Sequence, residues 1–200
     1  EFRRVLFRSG GRQVDGLGGA DPLTSKLAIV SPSTRDDADV NYTFAQVATN
    51  RGFVDWAGNC GNISSAVGPF AIDEGMVTPV LEEDGKALVR IYQTNTDAIL
   101  TARFTVAKDE NYGLTAEVEG DCSVDGVPGT GAPIELDFSA TAGAVFNRGL
   151  LPTGQPVNCL TVNTGHTIEA SIVDAGTPTV FVRNEDLDRK STRLNSSHTV

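Results

Sequence analysis

The strongest constraint on this chain is a succession of short alternating or β-branched runs, each closed by Gly, Pro, Asn or Asp. "KLAIVSPS" (26–33), "VNYTFAQVA" (40–48), "ALVRIYQTN" (87–95) and "AILTARFTVA" (98–107) come first. "LTAEVE" (114–119), "APIELDFS" (132–139), "HTIEASIVDA" (166–175) and "TPTVFVRN" (177–184) follow, with polar turns such as "VDGVPGTG" (124–131) between them. Alternation over a few residues places one set of side chains on one sheet face, and the breakers end each run. The chain therefore reads as mostly antiparallel β.

One stretch has a different period. Ile63, Ala66, Val67, Phe70 and Ala71 fall at i, i+3, i+4, i+7 and i+8, which is one face of a helix. The remaining positions include Ser64, Ser65 and Gly68, too small and uncharged for a solvent face, so a helix buried nearly all round is expected over about 61–74. Pro69 is expected to kink it or force a tight turn. A single buried helix among many strands predicts an α+β arrangement, a sheet rolled around a central helix.

With 200 residues and 40% hydrophobic content the chain can bury a genuine core. Its formal net charge of -10 disfavours nucleic acid, because phosphate binding needs clustered Lys and Arg. No uninterrupted apolar run is long enough to span a bilayer and no signal-peptide pattern opens the chain, so no membrane partner and a cytoplasmic location are expected. Residues 1–9 and 188–200 are basic and differ from everything between them. They resemble translated adapter sequence and are expected to be non-native tails, leaving 10–187 as one domain.

Only three cysteines occur, Cys60, Cys122 and Cys159, without CxxC spacing, and neither His166 nor His198 has a metal-motif neighbour. No metal is expected. Cys122 and Cys159 read as structural. Cys60 is different, because it lies in "GNCGN" (58–62) immediately before the helical period. A helix starting there leaves the amides of Gly61, Asn62 and Ile63 unpaired beside the thiol, where they suit a carboxylate and favour thiolate over thiol. Gly58 and Gly61 let backbone approach a ligand, and Asn59 or Asn62 can hydrogen-bond a substrate oxygen. The plainer alternative is a small buried cysteine in a Gly-Asn turn.

A partner for Cys60 is sought in "GLGGADPLTSK" (16–26), a second Gly-rich loop that runs straight into a strand. Its Lys26 sits beside apolar residues, with Thr24 and Ser25 as neighbouring hydroxyl donors. Either the lysine snorkels at a strand end or it lines a pocket. Within a pocket it can serve as a base, once desolvated, as an acid, or as a protonated carboxylate anchor.

With both loops in view, "GLGGADPLTSKLAIVSPS", "DADVNYTFAQVA", "FVDWAGNCGNISSAVGPFAIDEGMV", "LLPTGQPVNCLTV" and "EASIVDAGTPTVFV" resemble the PrpF family over essentially all of 10–187. That family includes 2-methylaconitate cis-trans isomerase, 3-methylitaconate delta-isomerase and 4-oxalomesaconate tautomerase. The resemblance implies a diaminopimelate-epimerase-like fold of two similar domains, each a sheet rolled around a central helix, of which this chain resembles the first. It implies Lys26 and Cys60 as the catalytic pair, no cofactor, and proton transfer across an allylic C=C of a small di- or tricarboxylate. Gly61, Asn62, Asn59, Ser25 and Thr24 are the implied substrate-binding set.

The chain also departs from the family pattern. A Gly-Gly-Thr-Ser-Lys-Gly segment is absent, and so is a second domain carrying a substrate-anchoring arginine and serine. The fragment alone is therefore expected to be inactive, and an uncovered apolar face invites self-association, with a homodimer as one form of it. "LPTG" (151–154) resembles a family loop, and Thr177 before Pro178 sits where related epimerases bind substrate. Competing functional classes are a two-base racemase or epimerase of the same fold and a carboxylate-binding module with an inert Cys60. A cysteine hydrolase lacks a histidine in a comparable loop.

Overall fold

The computed structural model describes residues 21–110, 113–162 and 165–186. Both basic tails, His198 and the first residues of the "GLGGAD" loop lie outside the described residues. The chain divides into two compact units, one running to Thr141 and one from Ala142 onward.

The first unit is built on a mixed sheet with the order β1-β2-β5-β6-β7. β1 (Lys26–Pro32) pairs antiparallel with β2 (Val40–Val47), from Lys26 opposite Gln46 to Pro32 opposite Val40. β2 then runs parallel to β5 (Lys86–Gln93), with Val40 opposite Ile91. β6 (Ala98–Asp109) returns antiparallel to β5 and receives β7 (Gly113–Ala116) and β8 (Ile134–Asp137). Two short strands pair at the sides, β3 (Val54–Asp55) on β2 and β4 (Val80–Leu81) on β5. Being two residues long, they have no period for a sequence reading to detect, and neither was expected.

Alternation makes the core. Along β2 the residues Val40, Tyr42, Phe44 and Val47 are buried, as are Val89 and Ile91 of β5 and Leu100, Ala102 and Phe104 of β6. Each large side chain so buried contributes roughly 1.5–3 kcal/mol relative to exposure. The parallel seam is pinned at its entry. Asp39 N–H donates to Arg90 O at 2.8 Å, Arg90 N–H donates to Asp39 Oδ2 at 2.7 Å, and the Arg90 guanidinium reaches Asp39 Oδ1 at 2.7 Å.

The helical stretch corrects two expectations. In place of one helix there are two, α1 (Gly61–Ser64) and α2 (Val67–Asp73). Pro69 has no N–H to offer the carbonyl four residues earlier, that of Ser65, and its ring crowds that carbonyl. The chain breaks at Ser65–Ala66, and Pro69 itself lies in the first turn of α2. Nor is the segment buried all round. Ser64, Val67, Gly68, Ala71 and Ile72 face inward, while Gly61, Asn62, Ala66, Phe70 and Asp73 are exposed. The inner face holds the small residues because the helix lies close on the sheet: a Cβ on Gly68 would stand 2.8 Å from Phe104 Cε1 and 3.1 Å from Ala102 Cβ. α2 touches β1, β5, β6 and β7, so the sheet curls about it.

The second unit holds a three-stranded antiparallel sheet in which β10 (Thr167–Asp174) lies between β9 (Asn158–Thr161) and β11 (Pro178–Val182). Asp174, fully buried, closes the 143–150 loop. Its Oδ2 accepts the N–H of Val145 at 3.1 Å and of Phe146 at 2.8 Å, and its own N–H donates to Leu150 O.

Candidate active site

The loop before β1 is shaped by one aspartate. Asp21 Oδ1 accepts Leu23 N–H at 2.8 Å, and Asp21 O accepts the N–H of Thr24 and of Ser25. The hydroxyls of Ser25 and Thr24 also donate to Asp21 O, at 2.6 and 3.2 Å. Gln46 then ties the loop to β2, its Nε2 lying 2.9 Å from both Pro22 O and Ser25 O. Lys26 thus enters β1 from an anchored turn. By strand alternation it shares a face with Ala28 and Val30.

The cysteine turn is held as firmly. Cys60 has extended backbone, φ -126° and ψ 107°, as the residue that caps α1. Its N–H donates to Asn59 Oδ1 at 2.7 Å, and its carbonyl accepts Ser64 N–H at 3.0 Å and Ser64 Oγ at 2.8 Å. With both main-chain groups occupied, the side chain is left to the site. Lys26 Nζ lies 3.3 Å from Cys60 Sγ, within hydrogen-bond distance for sulfur.

The other residues singled out by sequence have distinct placements. Gly61 and Asn62 are exposed at the start of α1, and their N–H groups precede the first helical bond. α1 is only four residues long, so its dipole is smaller than that of a long helix. A Cβ on Gly61 would make ordinary contact with the Phe138 ring at 3.8 Å, and one on Gly58 would meet nothing. Asn59 turns its side-chain oxygen inward to Cys60 N and Ser64 Oγ. Beside the pair runs a groove of about 170 Å³ lined by Ala28, Val30, Ile63, Ala66, Val67 and Phe70. A larger hollow of about 390 Å³, between Ser65, Cys122 and the 124–134 turn, contains neither Lys26 nor Cys60.

Cys60, Cys122 and Cys159 are free thiols, the last two exposed. His166 is exposed in the second unit, where its carbonyl accepts Val162 N–H. Among the described residues no group of three or more His, Cys, Asp or Glu is arranged to hold a metal ion, and no helix is long and apolar enough to cross a membrane.

One support of the cysteine turn and one buried hydroxyl escaped the sequence reading. Asn95 Oδ1 accepts Phe44 N–H at 2.8 Å, while its Nδ2 donates to Phe44 O at 2.9 Å and Trp56 O at 2.6 Å. It thereby fastens the segment leading to Cys60 onto β2. Tyr42, on β2, has a wholly enclosed hydroxyl without a hydrogen-bond partner. Burial pushes its phenol well above the ordinary tyrosine range, with the nearby Ser64 hydroxyl opposing and the charge of Cys60 adding. In a sequence both read as a turn asparagine and a core aromatic, and nothing local marks them out.

The chain has relatives among known proteins. It matches the PrpF protein family over residues 2–199. The chain belongs to the PrpF family. Among relatives of this PrpF chain, 3-methylitaconate isomerase of Eubacterium barkeri is 51% identical over 193 residues, covering 94% of this chain and 48% of that protein. The 4-oxalomesaconate tautomerase of Pseudomonas putida is 43% identical, covering 92% of this chain and 47% of its own length. The 2-methyl-aconitate isomerase of Cupriavidus necator is 41% identical, covering 92% and 46%. A crystal structure of methylitaconate-delta-isomerase superposes with a TM-score of 0.72 at 50% identity, covering 92% of this chain and 45% of that one. The PrpF chain thus spans about half the length of the relatives it matches.

Proposed function

We propose that this chain is the first of two diaminopimelate-epimerase-like domains, taken as residues 10–187, of a cofactor-independent isomerase. Its substrate class is a small unsaturated di- or tricarboxylate of the methylitaconate, methylaconitate or oxalomesaconate type. The observation that carries the reading is Lys26 Nζ at 3.3 Å from Cys60 Sγ, two proton-bearing groups side by side at an open edge of the sheet. The names of the relatives supply the substrate class.

The pair accounts for every proton. Ammonium with thiolate and amine with thiol carry the same number of protons and differ by one transfer across the contact. In the second form Lys26 takes the acidic proton from the allylic carbon of the substrate. The electron pair left behind delocalises through the C=C into the conjugated carboxylate as a dienolate, stabilised by the new ammonium. The Cys60 thiol returns a proton to the far carbon, or to the original carbon after rotation about the delocalised bond. Transfer of a proton from Lys26 to Cys60 then resets the pair.

In this reading the N–H groups of Gly61 and Asn62 cradle a substrate carboxylate, and Asn59 orients the cysteine turn. Ser25 and Thr24 shape the lysine turn through their hydroxyl bonds to Asp21 O. The second half of the full-length protein closes the site over the groove beside α2, so the fragment alone is inactive and a second copy can occupy that apolar face. The expected location is the cytoplasm.

The test is Lys26→Ala in the full-length parent, assayed with methylitaconate, methylaconitate and oxalomesaconate. Loss of turnover by at least about a hundredfold on the substrate that the parent isomerises is expected for a general base. Near-normal turnover would sink the proposal.

A further inference from the structure

Lys26 Nζ stands 3.3 Å from Cys60 Sγ, and the turns that carry the two residues are both tied down. Gln46 and Asp21 hold the lysine turn, and Asn59 and Ser64 hold the cysteine turn. Cys60 is half-buried, so a solute as small as a peroxide reaches its sulfur. A cysteine oxidised by peroxide becomes a sulfenic acid, and a sulfenic acid condenses with a neighbouring thiol or nitrogen. At Cys60 that nitrogen is an amine already in contact before oxidation begins.

We propose that the pair is a reversible modification site: under hydrogen peroxide, Cys60 and Lys26 close into a sulfenamide, a covalent bond between Sγ and Nζ. In the ammonium–thiolate form of the pair, Sγ attacks one peroxide oxygen and the O–O bond breaks. Sulfur is oxidised by two electrons, peroxide is reduced, and the departing hydroxide takes a proton from the Lys26 ammonium to leave as water. The lysine is then a neutral amine beside a sulfenic sulfur. Its lone pair attacks Sγ, the S–O bond breaks, and the hydroxide released carries off one nitrogen proton as a second water. One peroxide is consumed, and the chain has lost two hydrogens relative to free amine and thiol. In reverse, an external thiol attacks Sγ and expels the amine, and a second thiol frees Cys60 as those two thiols leave as a disulfide. The bridge ties up both proton-bearing groups and shields the sulfur from irreversible oxidation to sulfinic acid. The inference rests on the reading of Lys26 and Cys60 as a proton-sharing pair, and not on which substrate the pair serves.

The experiment treats this chain with a small excess of hydrogen peroxide, caps free thiols with iodoacetamide, and digests it without reductant, using a protease that does not cut at lysine. Peptide mass spectrometry should find the Lys26 and Cys60 peptides joined and two hydrogens lighter than their sum, and dithiothreitol should separate them. The exposed Cys122 and Cys159 report the general dose of oxidant. In Lys26→Met the joined peptide should vanish. Sulfinic acid at Cys60 should then rise about tenfold over the wild type, because a tethered amine outcompetes a second peroxide arriving from solution.

Cys60 found only as sulfenic or sulfinic acid in the wild type overturns the proposal, as does a Cys60 that stays reduced while Cys122 and Cys159 oxidise. Loss of two hydrogens within the Cys60 peptide alone, from closure onto the Gly61 nitrogen, overturns it too, and so does a disulfide to another cysteine. Mapping of the wild type decides these outcomes, so a Lys26→Met chain that fails to fold does not remove the test. The isomerase reading fails separately. A full-length Lys26→Ala parent with near-normal turnover removes the catalytic role and leaves the joined peptide standing, whereas an inactive one with no joined peptide in the wild type removes the bridge alone.

Discussion

Gln46 stands opposite Lys26 in the β1–β2 register, and its side chain holds the carbonyls of Pro22 and Ser25 at the entry to β1. The residue that orients the lysine loop therefore comes from the neighbouring strand. Gln46→Ala removes both bonds and frees the Pro22 carbonyl, while Ser25 O keeps the Val47 N–H at 2.8 Å. It should cost about 1–2 kcal/mol in urea unfolding. In the full-length parent it should lower kcat by roughly tenfold, since a misplaced base loses more rate than binding. A variant with unchanged kcat would show that the lysine is positioned without this clamp.

Gly68 lets α2 lie against the sheet. Its substitution by Ala drives a methyl to 2.8 Å from the Phe104 ring, which is itself packed in the core. The expected loss is about 1–3 kcal/mol, typical of overpacking. Phe104→Leu in the same chain should relieve part of it. Gly61→Ala, whose Cβ makes only an ordinary contact at 3.8 Å, is the matched control and should stay within about 0.5 kcal/mol. Chemical denaturation of the three variants checks the order.

In the second unit, Asp174→Ala leaves the amides of Val145 and Phe146 without their acceptor. A loss of about 1–3 kcal/mol is expected. Hydrogen exchange should quicken across residues 143–150 and stay unchanged in β5 and β6 of the first unit. Faster exchange throughout would contradict a local role.

Tyr42 also predicts a dependence on alkali. Its phenol is raised in the folded chain, chiefly by burial, so between the ordinary tyrosine range and the folded value the native state holds a proton that the unfolded state has lost. That contribution is complete below about pH 10 and disappears as pH rises further. Tyr42→Phe should therefore flatten the alkaline fall in melting temperature. Near-ultraviolet titration should lose a phenol that ionises well above the ordinary tyrosine range. Equal alkaline slopes for both proteins would refute the assignment.

The strands were legible because burial alternates along them: β5 reads half-buried, buried, half-buried, buried from Lys86 to Gln93, and the sequence carries that rhythm openly. β3 and β4 carry no rhythm, because two residues form no period. The helical period was visible as well. The interruption expected of Pro69 falls at Ser65–Ala66, because the proline acts on the carbonyl of Ser65, one turn upstream. The extent of burial was misread: Ser64, Val67, Gly68 and Ala71 face inward, but Ala66 and Phe70 are exposed, since the closeness of the sheet at Phe104 admits only one side of the helix. Lys26 and Cys60 stood out through their Gly-rich loops, whereas Asn95 and Tyr42 carry no local mark.

By itself, then, the sequence determined local things: where strands alternate, where the chain turns, where one helical segment interrupts, and which two Gly-rich loops carry a lysine and a cysteine. Those follow from propensities that act over a few residues. Tertiary structure decided that Lys26 and Cys60, 34 residues apart, stand 3.3 Å from one another. It also decided that Gln46, Asn95 and Ser64 hold their turns there. No local rule reaches across that separation. The distance is set by the β1–β2 register, by the side-chain bonds that fasten both turns to β2, and by the close seat of α2 on the sheet, each of which exists only once the core has closed.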